Sequence, residues 1–274
     1  MESSAIGTLL LLLNILISYR GFSNRPFFDA YKFQVDAILL HKEYKRLASS
    51  GFLHANWLHL IFNMIALNSF CNALLWQTSE GAIALIYFAA LLGGNLLALY
   101  LHRNHGDYSA IGASGAVSGI VFACVGLDPG IRISILLLPD MPGWFFGILY
   151  VLYSIYGIRS QSDNIGHEAH LGGALVGLFT AVALYPVALQ DNGLTIAAIA
   201  LPALAFLIWI VKKPEVLLIG SHKPAKPQKF YTLDDRYNAQ KRARQQEMDR
   251  ILEKIHKKGY ESLTEEERDF LNKG

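Results

Sequence analysis

The sequence predicts an all-α polytopic membrane protein that carries a small polar tail. Hydrophobic residues make up 53% of its 274 residues and charged residues only 17%, which is too apolar for an ordinary soluble domain. The charge is also uneven, because 15 of the 24 Lys and Arg residues lie between Lys212 and Lys273. The chain is therefore expected to consist of a membrane-embedded body followed by a polar extension.

Seven apolar windows are long enough to cross a bilayer, which takes about 17–25 residues of helix. They lie at 4–19, 57–77, 81–101, 111–127, 143–158, 167–189 and 193–211. The first window has no basic segment before it and no small-x-small cleavage site after it, so we expect a retained helix rather than a signal peptide. Residues 20–56 mix aromatic and basic side chains, which favours a loop in the membrane interface.

The tail is expected to form a small helical hairpin. Apolar residues recur at helical spacing over 234–258, and Gly259 ends that predicted helix. Ser262 and Glu265 have the spacing of a capping box, which predicts a second helix that runs to Leu271. Two short helices bury little apolar surface, so we expect the tail to pack weakly on itself, to self-associate or to bind a partner that the sequence does not identify.

Ser114 lies at the predicted start of the fourth membrane helix, between Gly112 and Gly115. An unpaired polar group in hydrocarbon costs roughly 2–4 kcal/mol or more, so a serine in a membrane helix has a packing role or a functional one. An isolated serine of this kind most often packs or bonds its own backbone. Here Gly115 and Gly119 form a small-xxx-small face, which favours close contact with another helix.

His170 lies near the start of the sixth predicted membrane helix, with Gly173 and Gly177 on the same helix face. If the glycine faces of the two helices meet, His170 comes within hydrogen-bonding distance of Ser114. A histidine placed as a base converts the weak serine hydroxyl into a nucleophile, and no aspartate is needed where packing orients the imidazole. The two residues therefore predict a serine-histidine dyad.

His59 and Asn63 are four residues apart and share one face of the second predicted membrane helix. Two donors placed in this way would stabilise an oxyanion, a contribution of about 2.7–4 kcal/mol per donor in acyl-transfer enzymes. Taken alone, Asn63 would be better explained by a hydrogen bond to a neighbouring helix. The oxyanion interpretation depends on the presence of Ser114 and His170.

The histidines do not form a known zinc motif. His167 and His170 are three residues apart, whereas the H-E-x-x-H motif needs four, and that motif occurs nowhere in the chain. The sequence therefore predicts no metal and no cofactor, and it disfavours an intramembrane metalloprotease. Glu168 is expected to be a charge at the membrane interface, and no nucleic acid partner is expected.

Taken together, these motifs resemble those of the rhomboid family of intramembrane serine proteases, and the resemblance covers residues 5–190. It rests on G-A-S-G around Ser114, on A-H-L-G-G around His170, and on the pattern H-x-x-x-x-H-x-x-x-N that ends at Asn63. The resemblance implies Ser114 as the nucleophile and His170 as the general base. It also implies that His59, Asn63 and the Ser114 backbone N–H are the oxyanion donors.

The chain departs from the family pattern at three positions. Lys45 replaces the Trp of the W-R pair in the first loop, while Arg46 matches the second residue of that pair. Ser118 stands where an aromatic residue often packs beneath the histidine ring, and Leu75 stands where an acidic residue is common. The change at position 118 removes a ring that would orient His170.

The implied fold is a rhomboid-like six-helix core plus a seventh transmembrane helix and a small helical C-terminal tail. This six-plus-one form predicts a protease core at 1–190, an additional transmembrane helix at 191–213 and a polar helical tail at 214–274. The expected protein is a multi-pass integral protein of a bacterial inner membrane. Its expected partners are the lipid bilayer and transmembrane protein substrates.

The expected function is that of an intramembrane serine endopeptidase, and two alternatives remain. The first is a catalytically silent rhomboid-like protein that binds membrane clients, although an intact dyad counts against it. The second is a transporter, for which paired charges inside the spans would be expected. Substrate segments of low helix stability are expected, because a helix must unwind before its peptide carbonyl is exposed to attack.

Overall fold

A computed structural model of the chain describes residues 3–134, 139–160 and 165–212 and, in the tail, 248, 250, 251, 254 and 263–272. The chain divides into two compact units, Met1–Ser221 and His222–Gly274, and each is described by itself. The described helices are, in chain order, α1 (Ala5–Ser23), α2 (Arg25–Tyr31), α3 (Val35–Leu39), α4 (Arg46–Ser49), α5 (Trp57–Leu75), α6 (Glu80–Leu101), α7 (Ser114–Leu127), α8 (Gly143–Ser160), α9 (His167–Leu184), α10 (Val187–Lys212) and α11 (Glu265–Asn272). Four short strands form two antiparallel pairs: β1 (Phe33–Gln34) with β2 (Ser109–Ala110), and β3 (Arg132–Ile133) with β4 (Met141–Pro142).

A long helix occupies each of the seven predicted apolar windows. Among the described residues, α1, α5, α6, α9 and α10 are long and apolar enough to cross a membrane by length and composition. The 14-residue helix α7 is shorter than the roughly 17–25 residues of a full span, and it is buried from Gly115 to Gly126. The 18-residue helix α8 falls outside the group of five. The chain is an all-α polytopic membrane protein, as the sequence predicts.

The break between α9 and α10 lies earlier than the windows predict. The sixth window was expected to reach residue 189, but α9 ends at Leu184 and α10 begins at Val187. Pro186 lies between them and has no backbone N–H to continue the helix, and it disfavours helical geometry at Tyr185. The division of the chain into core, additional span and tail stays a prediction.

Helix α7 packs against α6 and α9 through glycines. A Cβ on Gly119 would collide with Ala90 of α6 and would lie 2.9 Å from the Gly173 carbonyl oxygen of α9. A Cβ on Gly177 would collide with the backbone of Gly119. The predicted contact between the two glycine faces is therefore confirmed, and it places the first residues of α7 and α9 at the same end of the bundle.

The first loop, residues 24–56 between α1 and α5, is hydrogen-bonded to the end of the bundle at which α7 and α9 begin. Arg46 is buried, and its Nη1 donates to the carbonyl oxygens of Asp29 at 2.7 Å and Lys32 at 2.8 Å. Strand β1 of this loop pairs with β2, which leads into α7. In addition, the Gly112 N–H donates to the Ser50 carbonyl oxygen at 3.0 Å. The loop therefore supports the segment that comes directly before Ser114.

The described part of the tail is organised around Glu267. Its carboxylate accepts hydrogen bonds from the Thr264 N–H at 2.8 Å, from Arg250 at 2.8 Å and from Lys254 at 2.6 Å. The Glu267 N–H donates in return to Thr264 Oγ1 at 3.3 Å, which completes a capping box. The capping box predicted at Ser262 is thus found two residues later. Most of the helix predicted over 234–258 lies outside the described residues.

Candidate active site

Ser114 is the first residue of α7, and the backbone just before it has an unusual conformation. Gly112 has a φ of +126°, a backbone conformation that favours glycine. A Cβ at Gly112 would lie 2.9 Å from Cε1 of His59 and 3.4 Å from Ser114 Oγ, so a larger residue would also fill the space between them. The first N–H groups of a helix have no intrahelical acceptor, so the start of α7 presents donors beside Ser114.

His170 lies in the first turn of α9, and its Nε2 is 2.5 Å from Ser114 Oγ. This separation is at the short limit of the reach expected for a nucleophile and its base. Both side chains are partly exposed, so a substrate carbonyl has access to them. The structure thus brings together the two residues of the predicted dyad, which are 56 positions apart in the chain.

His59 lies in the first turn of α5, and its ring lies beside Gly112. The Ala55 N–H donates to His59 Nδ1 at 3.4 Å, so in the neutral ring Nε2 carries the proton. That nitrogen would be 3.1 Å from a Cβ at Gly112, next to Ser114. His59 therefore presents an N–H donor toward the space in front of the serine hydroxyl.

Asn63 is placed differently. It is buried one turn after His59, and its Nδ2 donates to the His59 carbonyl oxygen at 2.9 Å. Its recorded bond is thus to its own helix rather than to a neighbouring one. The second N–H of the amide is the group that would serve as an oxyanion donor, and that role stays a prediction.

His54, in the loop before α5, packs against the ring of His59. Its ring is fully buried, packs edge-on against His59 at a centroid distance of 4.9 Å and bonds Ser18 Oγ through Nδ1 at 2.8 Å. Ser18 also donates to the Phe52 carbonyl oxygen at 2.9 Å. Burial, together with nearby His59, lowers the pKa of His54 to about 3. The His54 ring is therefore neutral near physiological pH.

Two residues near the dyad were not singled out from the sequence as members of its environment. Tyr150 of α8 lies with its hydroxyl 2.5 Å from Ser118 Oγ, and Ser118 donates to the Ser114 carbonyl oxygen at 2.7 Å. His167, considered only as a metal ligand, packs its ring against that of His170. The signal for His167 was its three-residue spacing from His170, which places both on one helix face.

Glu168, expected as a charge at the membrane interface, has a partner that the sequence did not indicate. It is buried within the protein, and its Oε1 lies 3.2 Å from Nε2 of His102, which directly follows α6. The His102 ring stacks on Tyr108 with 3.6 Å between centroids. Glu168 lies in the first turn of α9, where the helix dipole favours an acidic side chain. Burial, together with nearby Glu168, raises the pKa of Tyr108.

Over the part of the chain that the structure describes, no group of three or more His, Cys, Asp or Glu side chains is placed to hold a metal ion. The arrangement instead combines a hydroxyl, an imidazole within hydrogen-bonding distance and a second imidazole that presents an N–H. These groups are those that acyl transfer requires: a nucleophile, a base and a donor for the developing negative charge.

Comparison with known proteins gives two family matches. A model of the Rhomboid domain matches residues 41–187, and a model described as a family of unknown function (DUF6576) matches residues 231–273. The first match begins within the loop before α5 and continues through α9, so it includes His59, Asn63, Ser114 and His170. The second covers the polar tail.

Named relatives are similar over most of the membrane body. The chain is 24% identical to RHOMBOID-like protein 12, mitochondrial, of Arabidopsis thaliana over 62% of its own length and 55% of that protein. It is 28% identical to Rhomboid protein 1, mitochondrial, of Saccharomyces cerevisiae over 61% and 50% of the two chains. Rhomboid protease GluP of Bacillus subtilis is also 28% identical, over 68% and 35%. The chain spans about half the length of the two mitochondrial relatives.

Proposed function

We propose that this chain, which belongs to the rhomboid family, is an intramembrane serine endopeptidase that cleaves transmembrane protein substrates. The observation that carries the proposal is the 2.5 Å separation between Ser114 Oγ and His170 Nε2 at the start of two packed membrane helices. A serine hydroxyl is a weak nucleophile by itself, and a histidine at this distance is the group that activates it. The similarity to a protein named a rhomboid protease supports the same reaction class.

In the proposed reaction, Ser114 Oγ attacks the carbonyl carbon of the scissile peptide bond while His170 Nε2 accepts the hydroxyl proton. The protonated His170 then donates that proton to the leaving amine, and an acyl-enzyme on Ser114 remains. A water molecule, deprotonated by His170, hydrolyses the ester and restores the serine. No aspartate is required if packing holds the imidazole in place.

The negative oxygen of the tetrahedral intermediate would lie in front of Gly112. The Ser114 backbone N–H and His59 Nε2–H are its proposed donors, with the free N–H of the Asn63 amide as a third. Gly112 keeps this space open, because a Cβ there would approach both His59 and Ser114 Oγ. Donors fixed in advance stabilise the transition state without having to reorganise during the reaction.

The proposed substrates are transmembrane segments of low helix stability. A peptide carbonyl in a helix is already hydrogen-bonded and shielded, so the segment must unwind before Ser114 can attack it. The membrane helices of the chain expose many large apolar side chains, such as Leu16 of α1, Ile65 of α5 and Leu201 of α10, as expected for contact with lipid. The bilayer is therefore a partner in its own right.

We place the protein in a bacterial inner membrane, with a protease core at 1–190, an additional transmembrane helix at 191–213 and a polar tail at 214–274. A mitochondrial membrane is the competing location, because two of the named relatives are mitochondrial. Membrane fractionation of the native host cell, with the tail as the epitope, tests this placement. Recovery of the protein in an organelle membrane would contradict it.

The test of the function is cleavage of a tagged transmembrane substrate by purified protein in liposomes. Ser114→Ala should abolish cleavage, whereas Ser154→Ala should retain it. Ser154 is a useful control because it is another serine in a membrane helix, and its buried hydroxyl has no hydrogen-bond partner among the described residues. Turnover by Ser114→Ala would exclude the serine mechanism. Loss of activity in EDTA, restored by zinc, would point to a metalloenzyme instead.

A silent rhomboid-like protein that binds membrane clients is the competing function. It would retain the fold and would give no cleavage of any substrate. A fluorophosphonate that labels Ser114 separates the two functions without knowledge of the natural substrate. Labelling of the wild type but not of Ser114→Ala is expected, and an unlabelled wild type would favour the silent protein.

A further inference from the structure

His170, the base of the proposed dyad, lacks an aromatic ring that is often found beneath the histidine in the rhomboid family. The position of that aromatic residue, 118, is a serine in this chain. Ser118 is bonded instead to the Ser114 carbonyl oxygen at 2.7 Å and to the Tyr150 hydroxyl at 2.5 Å. The orientation of His170 therefore has to come from other contacts.

His167 is in position to provide such a contact. It is the first residue of α9, it lies three positions before His170, and only 2% of it is exposed. The two imidazole rings are 6.1 Å apart between centroids and inclined at 68°. This geometry falls within the 4.5–7 Å, edge-to-face range that aromatic pairs prefer.

The His167 ring is itself fixed by α8. Gly157 leaves room for it, because a Cβ on Gly157 would collide with the Cδ2, Nε2 and Cε1 atoms of the ring. Tyr153, one turn earlier on α8, contacts the ring edge-on at a centroid distance of 5.1 Å. His167 thus lies between α8 and His170 and contacts both.

We propose that His167 is a positioning residue, whose ring is held by Gly157 and Tyr153 and keeps the His170 imidazole directed at Ser114. Through this contact α8 controls the orientation of the base, although it contributes no residue to the dyad. The inference rests on the proposed function, because it assigns His167 a role only in a reaction that uses His170. The role depends on the shape of the ring and not on its ability to carry a proton.

Four variants test this role. His167→Ala removes the ring, His167→Phe keeps an aromatic ring without a titratable nitrogen, and Gly157→Ala adds one methyl group that must displace the ring. Gly193→Ala is the matched control for Gly157→Ala, because nothing lies within 4 Å of a Cβ at Gly193 of α10. The readouts are the rate at which fluorophosphonate labels Ser114, and kcat and KM on a model transmembrane substrate.

A displacement of a catalytic group by about 1 Å costs on the order of 100-fold in rate. We therefore expect His167→Ala and Gly157→Ala to lower both the labelling rate and kcat by roughly 10- to 100-fold, with KM little changed. His167→Phe should recover most of both rates, and Gly193→Ala should match the wild type. A general loss of structure would not be rescued by phenylalanine and would not spare KM.

The inference is overturned if His167→Ala is labelled at the wild-type rate, or if a folded His167→Phe is as slow as His167→Ala. Should His167→Ala fail to fold, wild-type labelling of Gly157→Ala would overturn the inference equally well. These results differ from a failure of the proposed function, in which the wild type itself would not be labelled at Ser114. The test can therefore reject the role of His167 while the serine mechanism stands.

Discussion

Gly173 of α9 lies so close to Gly115 of α7 that a Cβ on Gly173 would collide with the carbonyl group of Gly115. The contact is between two backbones, so neither side can make room by changing a rotamer. Lipid-solvated helices gain no hydrophobic driving force from association, and close packing of this kind is a principal source of their affinity. The same contact lies close to Ser114 and His170, near the start of both helices.

We predict that Gly173→Leu separates the two helices and lowers the rate of Ser114 labelling by on the order of 100-fold, because the dyad tolerates little displacement. We expect this large loss of activity to come with only a small loss of thermal stability, since the added side chain acts locally near the start of α7 and α9. The measurement is the labelling rate compared with the melting temperature in detergent.

Gly193→Leu is the control, because a side chain at Gly193 meets open space. It places the same bulk on a membrane helix away from the glycine contact. A fully active Gly173→Leu protein would show that the contact between the two glycine faces does not set the geometry of the dyad.

The sequence was sufficient for the features that depend on local spacing. Each of the seven apolar windows coincides with a helix among the described residues, and the glycines next to Ser114 and His170 predicted which helix faces meet. Even here the end of α9 was placed too late, because the apolar composition continues past Pro186 while the helix cannot. Apolar composition indicates which segments lie in the bilayer, whereas a single residue such as Pro186 determines where a helix ends.

The sequence was not sufficient for features that join distant helices. Glu168 looked like an interfacial charge because its partner, His102, is 66 positions earlier on another helix. The contact of His167 with α8 depends on Gly157, and no periodicity in the chain relates those two residues. Such pairs are defined by how helices pack, and their spacing in the chain carries no signal.

We predict that His59→Ala lowers kcat by about 10²–10³ and leaves KM largely unchanged, because an oxyanion donor acts mainly on the transition state. Asn63→Ala should have the same character if its second N–H is also a donor. The measurement is kcat and KM on the model substrate. A change confined to KM would mean that these residues bind substrate and do not stabilise the oxyanion.

We predict that the buried pair of His102 and Glu168 contributes to stability at the start of α9. His102 Nε2 and Glu168 Oε1 are 3.2 Å apart, and both side chains are buried. Removing one of two buried polar partners leaves the other without its contact, which typically costs about 1–3 kcal/mol, so Glu168→Ala should lower the melting temperature.

A double-mutant cycle with His102→Ala measures the interaction itself, and a coupling of about 0.5–3 kcal/mol is expected for residues in contact. His102→Ala also removes the ring that stacks on Tyr108, and the cycle separates that loss from the coupling to Glu168. Strict additivity of the two substitutions would show that the side chains do not interact.

The last prediction concerns acid stability and His54. In the folded protein the pKa of His54 is lowered to about 3, chiefly by burial, while a histidine in an unfolded chain titrates near 6.5. Below pH 6.5 the unfolded state therefore binds a proton that the folded state excludes. The stabilisation from keeping His54 neutral is complete above that pH and is lost as the pH falls toward 3.

One proton taken up only on unfolding corresponds to a slope of at most about 1.4 kcal/mol per pH unit. We expect the melting temperature in detergent to fall between pH 7 and pH 5, and to fall less in His54→Asn, whose amide cannot titrate but can still bond Ser18. His41→Asn is the matched control, because His41 is exposed and contacts solvent whether or not the chain is folded. An equal pH dependence in His54→Asn and the wild type would show that His54 is not the group whose protonation accompanies acid unfolding.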